Sequence, residues 1–368
     1  MYLFTYIIST ICLIYSKKYS GIKRKILECY FVLIPSILAG LRDFSVGVDV
    51  LVYGNEWFYR ACRYTSLFKY LHDANAYSVN YGYAFLNYIV SRFTNNPHWF
   101  YFFLELLDMI ILLGIMKSNQ NKIDVVLCYT LFFFFYFNES MNMMRQTPAL
   151  LIVAYSSVFI ENKKPFRFIL CILLAMCFHT TAFAAFLLYP LSLLTESRNR
   201  KIYNALLYAL AVFFVVAFGN ILDLLGVLGI VNPERYSVYL SASDAVGGRY
   251  VRILFFGLLF TLFSLVKRKL WKNSTYVKTL YMYCSFSFIL SFMMLLYSTS
   301  YIIRISYYFD IFLLIYMPMV SDYLPVTAGQ QKKGCRKAII AGMFIMYWLF
   351  VFVIRGGGNT IPYKFMHF

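Results

Sequence analysis

Long apolar runs constrain this chain more than any other feature of its sequence. A membrane-spanning helix needs about 20 mostly apolar residues, with a lower limit near 17. Runs close to that length lie at 1–16, 26–41, 98–116, 123–137, 147–160, 203–219, 250–266, 276–297, 302–320 and 338–354. Because only helices and closed barrels satisfy the backbone inside lipid, we predict an all-α, polytopic integral membrane protein with about 10–12 transmembrane helices.

The composition excludes the main alternatives. Of 368 residues, 61% are hydrophobic and 14% are charged, whereas a soluble domain has about 25% charged residues. A water-soluble enzyme is therefore excluded, and the 38 Phe and 34 Tyr residues exclude a disordered chain. The eight cysteines form no CxxC pair, so neither a disulfide framework nor a zinc site is expected. The first run lacks a positive leading region and a cleavage site, which predicts a retained first span.

The stretch 166–194 can be one long helix or a hairpin of two short helices that meet near His179. Cytoplasmic loops of membrane proteins carry an excess of Lys and Arg. All the basic clusters fall on one side of the membrane only if this stretch is a hairpin, which gives twelve helices and two outward termini. The clusters are Lys17/Lys18/Lys23/Arg24/Lys25, Lys117/Lys122, Lys163/Lys164/Arg167, Arg198/Arg200/Lys201, Lys267/Arg268/Lys269/Lys272 and Lys332/Lys333/Arg336/Lys337.

The net charge of +18 is therefore largely a topology signal, and no nucleic-acid partner is expected. On this map the outward segments are 42–97, 138–146, 232–249, 298–301 and 355–368. The first is the longest, and it is predicted to hold an amphipathic or re-entrant helix at Tyr81–Phe93. Since a structureless loop of that length is unusual, we expect part of the function there. No soluble domain or repeat is evident, so residues 1–368 are expected to form a single integral membrane domain.

The usual signatures of cytoplasmic enzymes are missing from the sequence. It contains no GxxxxGK[ST] loop, no GxGxxG after a strand, no DxD and no HExxH. If the protein is an enzyme, its donor is therefore not expected to be a soluble nucleotide, and its chemistry is expected to need no metal.

Polar residues follow the second apolar run. Arg42 and Asp43 lie at the predicted membrane boundary, where an ion pair or snorkelling can satisfy them structurally. Gly47 indicates a tight turn, after which Asp49 has no evident structural duty. A carboxylate at this depth is a candidate general base.

Three arginines map to the same outer level of the membrane. Arg145 precedes Thr147-Pro148 at a predicted helix start, where backbone amides and a guanidinium together can bind an anion. An interfacial arginine that binds lipid headgroups is the alternative. Arg249 precedes one span, and Arg304 lies one turn into another, facing Tyr307 and Tyr308. Several arginines at one level suit a pyrophosphate, whose oxygens accept bidentate hydrogen bonds.

Two further features have both a structural and a functional interpretation. His179 is the one histidine within an apolar stretch, where it is either a packing residue or a functional one at the apex of the hairpin. Glu105 and Asp108 share a helix face, which fits a polar contact with a neighbouring helix or a proton or cation route.

Several of these segments carry motifs that occur together in one known family. They are Arg42-Asp43 with Val46-Gly47-Val48-Asp49 and Tyr53, Asn142-Met143-Met144-Arg145-Gln146, Phe178-His179-Thr180, Arg304 with Tyr307-Tyr308-Phe309, and Ile361-Pro362-Tyr363. In this order they resemble the EpsG-like branch of the Wzy O-antigen and exopolysaccharide polymerases. The family more often has Thr where this chain has Val48.

The resemblance implies a GT-C-like glycosyltransferase of the bacterial inner membrane, multi-pass, with its active site facing the periplasm. Such polymerases transfer a growing glycan from undecaprenyl pyrophosphate to the non-reducing end of a lipid-linked repeat unit, in lipopolysaccharide or exopolysaccharide biosynthesis. The reaction is implied to invert the anomeric centre, without metal or cofactor. The implied partners are the lipid-linked oligosaccharide and the bilayer, with a chain-length regulator as a further candidate.

The resemblance and the pattern together assign candidate roles to named residues. The candidates for general base are Asp49, His179 and Glu139. The predicted pyrophosphate ligands are Arg145, Arg249, Arg304 and Arg42. The predicted sugar-binding aromatic residues are Tyr53, Trp57, Tyr81 and Tyr308.

Two other functions remain as alternatives. An O-antigen ligase usually carries a long outer loop late in the chain, whereas here the late loop 232–249 is short and the early one is long. A lipid-linked oligosaccharide flippase usually shows internal repeats, and none is evident.

Overall fold

The computed structural model describes residues 1–77, 79–196, 246–270, 274–293, 300–324 and 332–366, with the single positions 205, 209, 213 and 227. Within these residues the chain is helical, and its one extended pairing is an isolated bridge between Arg42 and Phe365. The helices of eight or more residues are Tyr2–Ser16, Gly21–Gly40, Glu56–Arg63, Leu67–Ala76, Tyr81–Ser91, Pro97–Asn119, Val125–Phe132, Gln146–Glu161, Pro165–Phe178, Thr180–Leu187 (a 3₁₀-helix), Leu188–Glu196, Val246–Leu270, Thr275–Met293, Ser300–Asp310, Leu313–Ser321 and Lys332–Trp348.

The structure confirms an all-α polytopic membrane protein. Among the described residues, Pro97–Asn119 and Gly334–Ile354 are long and apolar enough to cross a bilayer. The pair Ile303–Asp310 and Leu313–Ser321, bent by 45°, adds a third span if it is counted as one. Most other predicted spans correspond to shorter apolar helices, and 203–219 lies largely outside the described residues. The total of 10–12 spans and the GT-C likeness stay predictions.

The ambiguous stretch 166–194 turns back on itself. The first helix, Pro165–Phe178, stops just before His179. A 3₁₀-helix then begins at Thr180 and leads into Leu188–Glu196. The rings of Phe168 and Tyr189, at matching distances on either side of the break, have centroids 5.4 Å apart. The two legs therefore lie side by side, as the hairpin prediction requires.

The chain divides into two compact units. The first comprises residues 1–155, 173–180 and 333–368, and the second comprises 156–172 and 181–332. Most of the candidate site residues lie in the first unit. The expectation of one integral membrane domain stays a prediction.

Short helices fill the segment 42–97, which is predicted to face outward. A π-helical stretch at Val50–Asn55 leads into Glu56–Arg63, which is followed by Leu67–Ala76 and Tyr81–Ser91. Isolated helices this short are marginal in water, so they bury their aromatic faces on one another and on the start of Pro97–Asn119. The shared core includes Trp57, Phe58, Tyr70, Tyr83, Tyr88, Phe100 and Tyr101. We call residues 50–91 the cap. The predicted helix at Tyr81–Phe93 is present as Tyr81–Ser91.

Polar contacts mark the other end of the first unit. Glu28 accepts hydrogen bonds from Arg24 (2.9 Å) and Lys117 (2.6 Å). Asp124 pairs with Lys337. Ion pairs at the end away from the cap therefore involve three of the basic clusters, those around Arg24, Lys117 and Lys337.

Candidate functional site

Two loops that carry candidate residues are hydrogen-bonded to each other. We call them the Asp49 loop (residues 41–49) and the Arg145 loop (residues 138–146). The side-chain oxygen of Asn142 accepts from the amide of Val48 at 2.6 Å. The guanidinium of Arg42 donates to the carbonyl of Met141 at 3.0 Å. The loops are thus fixed relative to each other.

Gly47 makes the turn that brings Asp49 into this arrangement. Its φ is +105°, a conformation that residues with a Cβ rarely adopt. A Cβ here would also lie 3.0 Å from the carbonyl oxygen of Met141. The predicted tight turn is therefore confirmed, and it depends on glycine for both backbone and space.

Arg145 lies over an aromatic ring of the cap. The guanidinium of Arg145 lies 4.4 Å from the centroid of the Tyr53 ring, a cation–π distance. The side chain of Tyr83 is fully buried in the cap. Burial raises the pKa of the Tyr83 hydroxyl, while Arg145 lowers this pKa and Asp49 raises it. Arg145 and Tyr53 are thereby brought together, and the hydrogen bond between Val48 and Asn142 holds the loop that carries Asp49 against the loop that carries Arg145.

The hairpin apex contacts the helix that carries Tyr83. The amide group of Asn80 hydrogen-bonds to the hydroxyl of Thr180 at 2.8 Å. A Cβ at Gly82 would lie 2.9 Å from the carbonyl oxygen of Cys177. His179 is therefore held beside the start of Tyr81–Ser91. Glu139 is half-buried in the Arg145 loop, and its carbonyl accepts from the amide of Met143 at 2.6 Å.

Arg42 lies in the interior, with 2% of its surface exposed. Besides its bond to Met141, it stacks on the ring of Tyr101 at 4.4 Å. The carboxylate of Asp43 accepts from the amide and hydroxyl of Ser45 at 2.9 and 2.6 Å. The bond to Met141 and the stacking on Tyr101 give Arg42 a structural role between the Asp49 loop and the Arg145 loop. A role in pyrophosphate binding stays a prediction.

The predicted sugar-binding aromatic residues differ in exposure. Trp57 is 6% exposed, because it packs against Tyr77 beneath Arg60. Tyr308, in the second unit, is fully buried, and its hydroxyl lies 3.2 Å from that of Thr181. Tyr81 is 50% exposed. Because stacking on a sugar needs an open ring face, Tyr81 is better suited to it than the two buried rings, although all these roles stay predictions.

Glu105 supports the Arg145 loop from the helix Pro97–Asn119. It is buried, and its carboxylate accepts from the hydroxyl of Ser140 at 2.8 Å. The predicted polar contact is therefore present, but its partner lies in the Arg145 loop. Asp108, one turn further along the same helix, is buried as well.

A buried ion pair in the second unit escaped the sequence analysis. Arg252 pairs with Asp310, donates to Ser306 at 3.2 Å and lies 4.4 Å from the centroid of the Tyr307 ring. The sequence could have indicated this pair, because it places an arginine and an aspartate in two different predicted spans, where opposite charges are expected to pair. Arg304 is half-buried in the same helix as Asp310, and the side chain of Arg249 lies outside the described residues.

An apolar groove opens at the cap end of the first unit. It has a volume of about 360 Å³ between the ends of Gly21–Gly40 and Pro97–Asn119. Gly40 permits the close approach, since a Cβ there would lie 2.9 Å from that of Phe102. The groove is lined by Leu33, Ile37, Gly40, Leu41, Asn96, His98, Trp99, Phe102 and Met366.

A model of the EpsG family matches residues 25–365, nearly the whole chain. The chain belongs to the EpsG family. No curated protein and no solved structure matches it. Membership of the EpsG family indicates a membrane-embedded, glycosyltransferase-like polymerase of polysaccharides. Within the described ranges, His, Cys, Asp and Glu side chains do not gather in the groups of three that a metal site needs.

Proposed function

We propose that this EpsG-family protein extends a polysaccharide at the outer face of the bacterial inner membrane, using a donor glycan on undecaprenyl pyrophosphate. The observation that carries the proposal is the hydrogen bond between Val48 and Asn142, which holds the Asp49 loop against the Arg145 loop, with Arg145 over Tyr53. A carboxylate and a guanidinium on adjoining loops supply the two functions that such a transfer needs. One activates the acceptor, and the other neutralises the leaving group.

In the proposed reaction, Asp49 takes the proton from an acceptor hydroxyl on the non-reducing sugar of a lipid-linked repeat unit. The hydroxyl oxygen attacks the anomeric carbon of the donor, and the bond from that carbon to the pyrophosphate oxygen breaks with inversion. Arg145 binds the departing pyrophosphate, for which its planar guanidinium is suited. The apolar groove at the same end supplies a surface for the lipid chain of the carrier.

A deletion strain tests the reaction class. Loss of a polymerase is expected to leave surface lipid with single repeat units, and the plasmid-borne wild-type gene is expected to restore the ladder of long chains. Loss of a ligase would instead leave uncapped core with polymer still on its carrier. Loss of a flippase would stop repeat units from reaching the periplasm. Either of these last two results would overturn the proposal.

Complementation with variants tests the residues. Asp49→Asn is expected to lower the polymerisation rate about 10²–10⁴-fold, as removal of a general base does. Arg145→Ala is expected to lower it about 10²–10³-fold, because it removes a stabilising contact to the leaving group. Each variant must reach the membrane at the wild-type level.

Arg92→Ala is the matched control for Arg145→Ala. Arg92 also lies 4.4 Å from the centroid of a tyrosine ring, that of Tyr88, but it has no place in the proposed reaction. Equal losses for the two variants would contradict a specific role for Arg145. Full activity of Asp49→Asn together with inactive His179→Gln or Glu139→Gln would move the base to one of those residues.

A further inference from the structure

The C-terminal segment, residues 355–366, carries the motif Ile361-Pro362-Tyr363, to which the proposed reaction assigns no role. This segment runs along the Asp49 loop. The amide of Asp43 donates to the carbonyl of Lys364 at 2.9 Å. The amide of Gly47 donates to the carbonyl of Asn359 at 3.1 Å. The amide of Met366 donates to the carbonyl of Leu41, also at 2.9 Å.

Buried side chains anchor the segment. Thr360 is fully buried, and its hydroxyl accepts from the amide group of Asn138 at 2.8 Å. The hydroxyl of Tyr2 donates to the carbonyl of Thr360 at 2.6 Å, and that of Tyr363 donates to the carbonyl of Leu38, also at 2.6 Å. The segment is thus tied both to the Arg145 loop, through Asn138, and to the helices beside it.

Asn142 joins the three pieces. Its oxygen accepts from Val48 in the Asp49 loop, and it belongs to the Arg145 loop. On its other side, its amide nitrogen lies where a Cβ of Gly358 would be. Because Gly358 has no side chain, the amide group of Asn142 can occupy the position from which it accepts the hydrogen bond from Val48.

We infer that the C-terminal segment is a positioning element of the active site. It holds the Asp49 loop in register with the Arg145 loop, chiefly through Gly358 against Asn142 and Thr360 against Asn138. The inference rests on the proposed function, because the residues positioned are its base and its pyrophosphate ligand. A displacement of about 1 Å between reacting groups can lower a rate about 10²-fold.

Two glycines of the segment provide a matched test. Gly356 and Gly358 have φ of +65° and +67°, so alanine meets the same backbone penalty at both. At Gly356 a Cβ has no atom within 4 Å, whereas at Gly358 it overlaps Asn142. Gly358→Ala is expected to lower kcat for the lipid-linked repeat unit about 10²-fold below that of Gly356→Ala, with the same thermal midpoint. Equal kcat values, or a loss that follows a lower midpoint, would overturn the inference.

Amide hydrogen exchange separates the inference from the proposed function, since it needs no activity. Gly358→Ala is expected to speed exchange in peptides that cover residues 41–49, and Gly356→Ala is expected to leave it unchanged. This exchange result with an inactive wild-type protein would support the positioning and refute the polymerase. Unchanged exchange in an active protein would refute the positioning alone.

Thr360 supplies a second pair of variants in case Gly358→Ala does not fold. Thr360→Ser keeps the hydroxyl that accepts from Asn138, and Thr360→Val removes it at nearly constant volume. We expect Thr360→Ser to retain the wild-type kcat within about threefold, while Thr360→Val lowers kcat and speeds exchange in 41–49. Identical behaviour of the two variants would contradict the inference.

Discussion

At the scale of single residues, Arg42 illustrates how a charge is accommodated in the interior. Its guanidinium is almost wholly enclosed, yet it bonds to the carbonyl of Met141 and stacks on Tyr101. A buried charge without such contacts would be strongly unfavourable. The contacts also fix the Arg145 loop, so the residue affects the site even without touching a substrate.

Removing this guanidinium is expected to destabilise the protein. Arg42→Met leaves the carbonyl of Met141 without its donor, which costs about 1–3 kcal/mol for a buried polar group. The thermal midpoint of the purified protein in detergent measures the effect.

Arg60→Met is the control for Arg42→Met. Arg60 also lies over an aromatic ring, but it pairs with Glu56 at the surface of the cap, and exposed ion pairs contribute about 0–1 kcal/mol. If Arg42→Met kept the wild-type midpoint but lost polymer synthesis, Arg42 would act as a substrate ligand and not as a structural one.

The sequence identifies part of the candidate site and misses the rest for physical reasons. Asp49 and Arg145 stand out because charged residues near membrane depth are costly and rarely incidental. Tyr83 does not stand out, because it is one of 34 tyrosines and its burial in the core of the cap depends on tertiary contacts. Asn138 and Asn142 share a spacing of four residues, but their partners in the C-terminal segment are more than 200 residues away.

At the scale of elements, apolar run length predicts the long helices and does little for the short ones. The run 98–116 corresponds to Pro97–Asn119, because about 20 apolar residues in a row have few other stable conformations in lipid. The cap helices Glu56–Arg63 and Leu67–Ala76 are too short for a periodic signal, and their stability comes from packing on one another.

The contact between the cap and the hairpin apex gives a prediction at this scale. Gly82→Ala is expected to cost about 1–3 kcal/mol, because the new Cβ would meet the backbone carbonyl of Cys177, which cannot easily move. Thermal unfolding measures the loss, and polymer length is expected to shorten with it.

Gly114→Ala is the matched control within a helix. A Cβ there makes an ordinary contact of 3.6 Å with the ring of Tyr155, and alanine in place of glycine gains about 0.5–1 kcal/mol of helix propensity. If both substitutions destabilised the protein to the same extent, the loss at Gly82 could not be attributed to the contact with the carbonyl of Cys177.

The pair of Asp124 and Lys337 gives a pH-dependent prediction. Burial alone would raise the pKa of Asp124, but the hydrogen bonds from Lys337 and from the amide of Leu127 outweigh it and lower the pKa below its ordinary value. A carboxyl group with a lowered pKa in the folded state stabilises the protein above the unfolded-state pKa of about 3.9. This stability is lost as the pH falls through the folded-state pKa.

Asp124→Asn isolates the ion pair, because asparagine can still cap the helix that begins at Val125. At pH 7 the variant is expected to be less stable than the wild type by about 0.5–1 kcal/mol, since the pair is partly exposed. The difference is expected to shrink as the pH falls below about 3.9 and to vanish below the lowered folded-state pKa, where Asp124 is protonated in both states. A constant difference from pH 7 to pH 3, measured by unfolding in detergent, would contradict this origin.

At the scale of the whole molecule, the basic clusters and the candidate site lie at opposite ends of the first unit. The end away from the cap carries contacts of Arg24, Lys117 and Lys337, whereas the cap end carries the candidate site. Loops rich in Lys and Arg stay in the cytoplasm. The structure was not needed to predict this orientation, but it shows that the three clusters share the same end.

The orientation predicts opposite accessibility for the two ends of Pro97–Asn119. Asn95 and Ser118 are both exposed and lie beside the first and last turns of this helix. In a background without the exposed Cys29, Cys177 and Cys335, a membrane-impermeant maleimide applied to spheroplasts is expected to label Asn95→Cys. The same reagent is expected to reach Ser118→Cys only after lysis, because about 30 Å of hydrocarbon separates the two sites. The reverse pattern would place Asp49 and Arg145 on the cytoplasmic side, where a periplasmic donor cannot reach them.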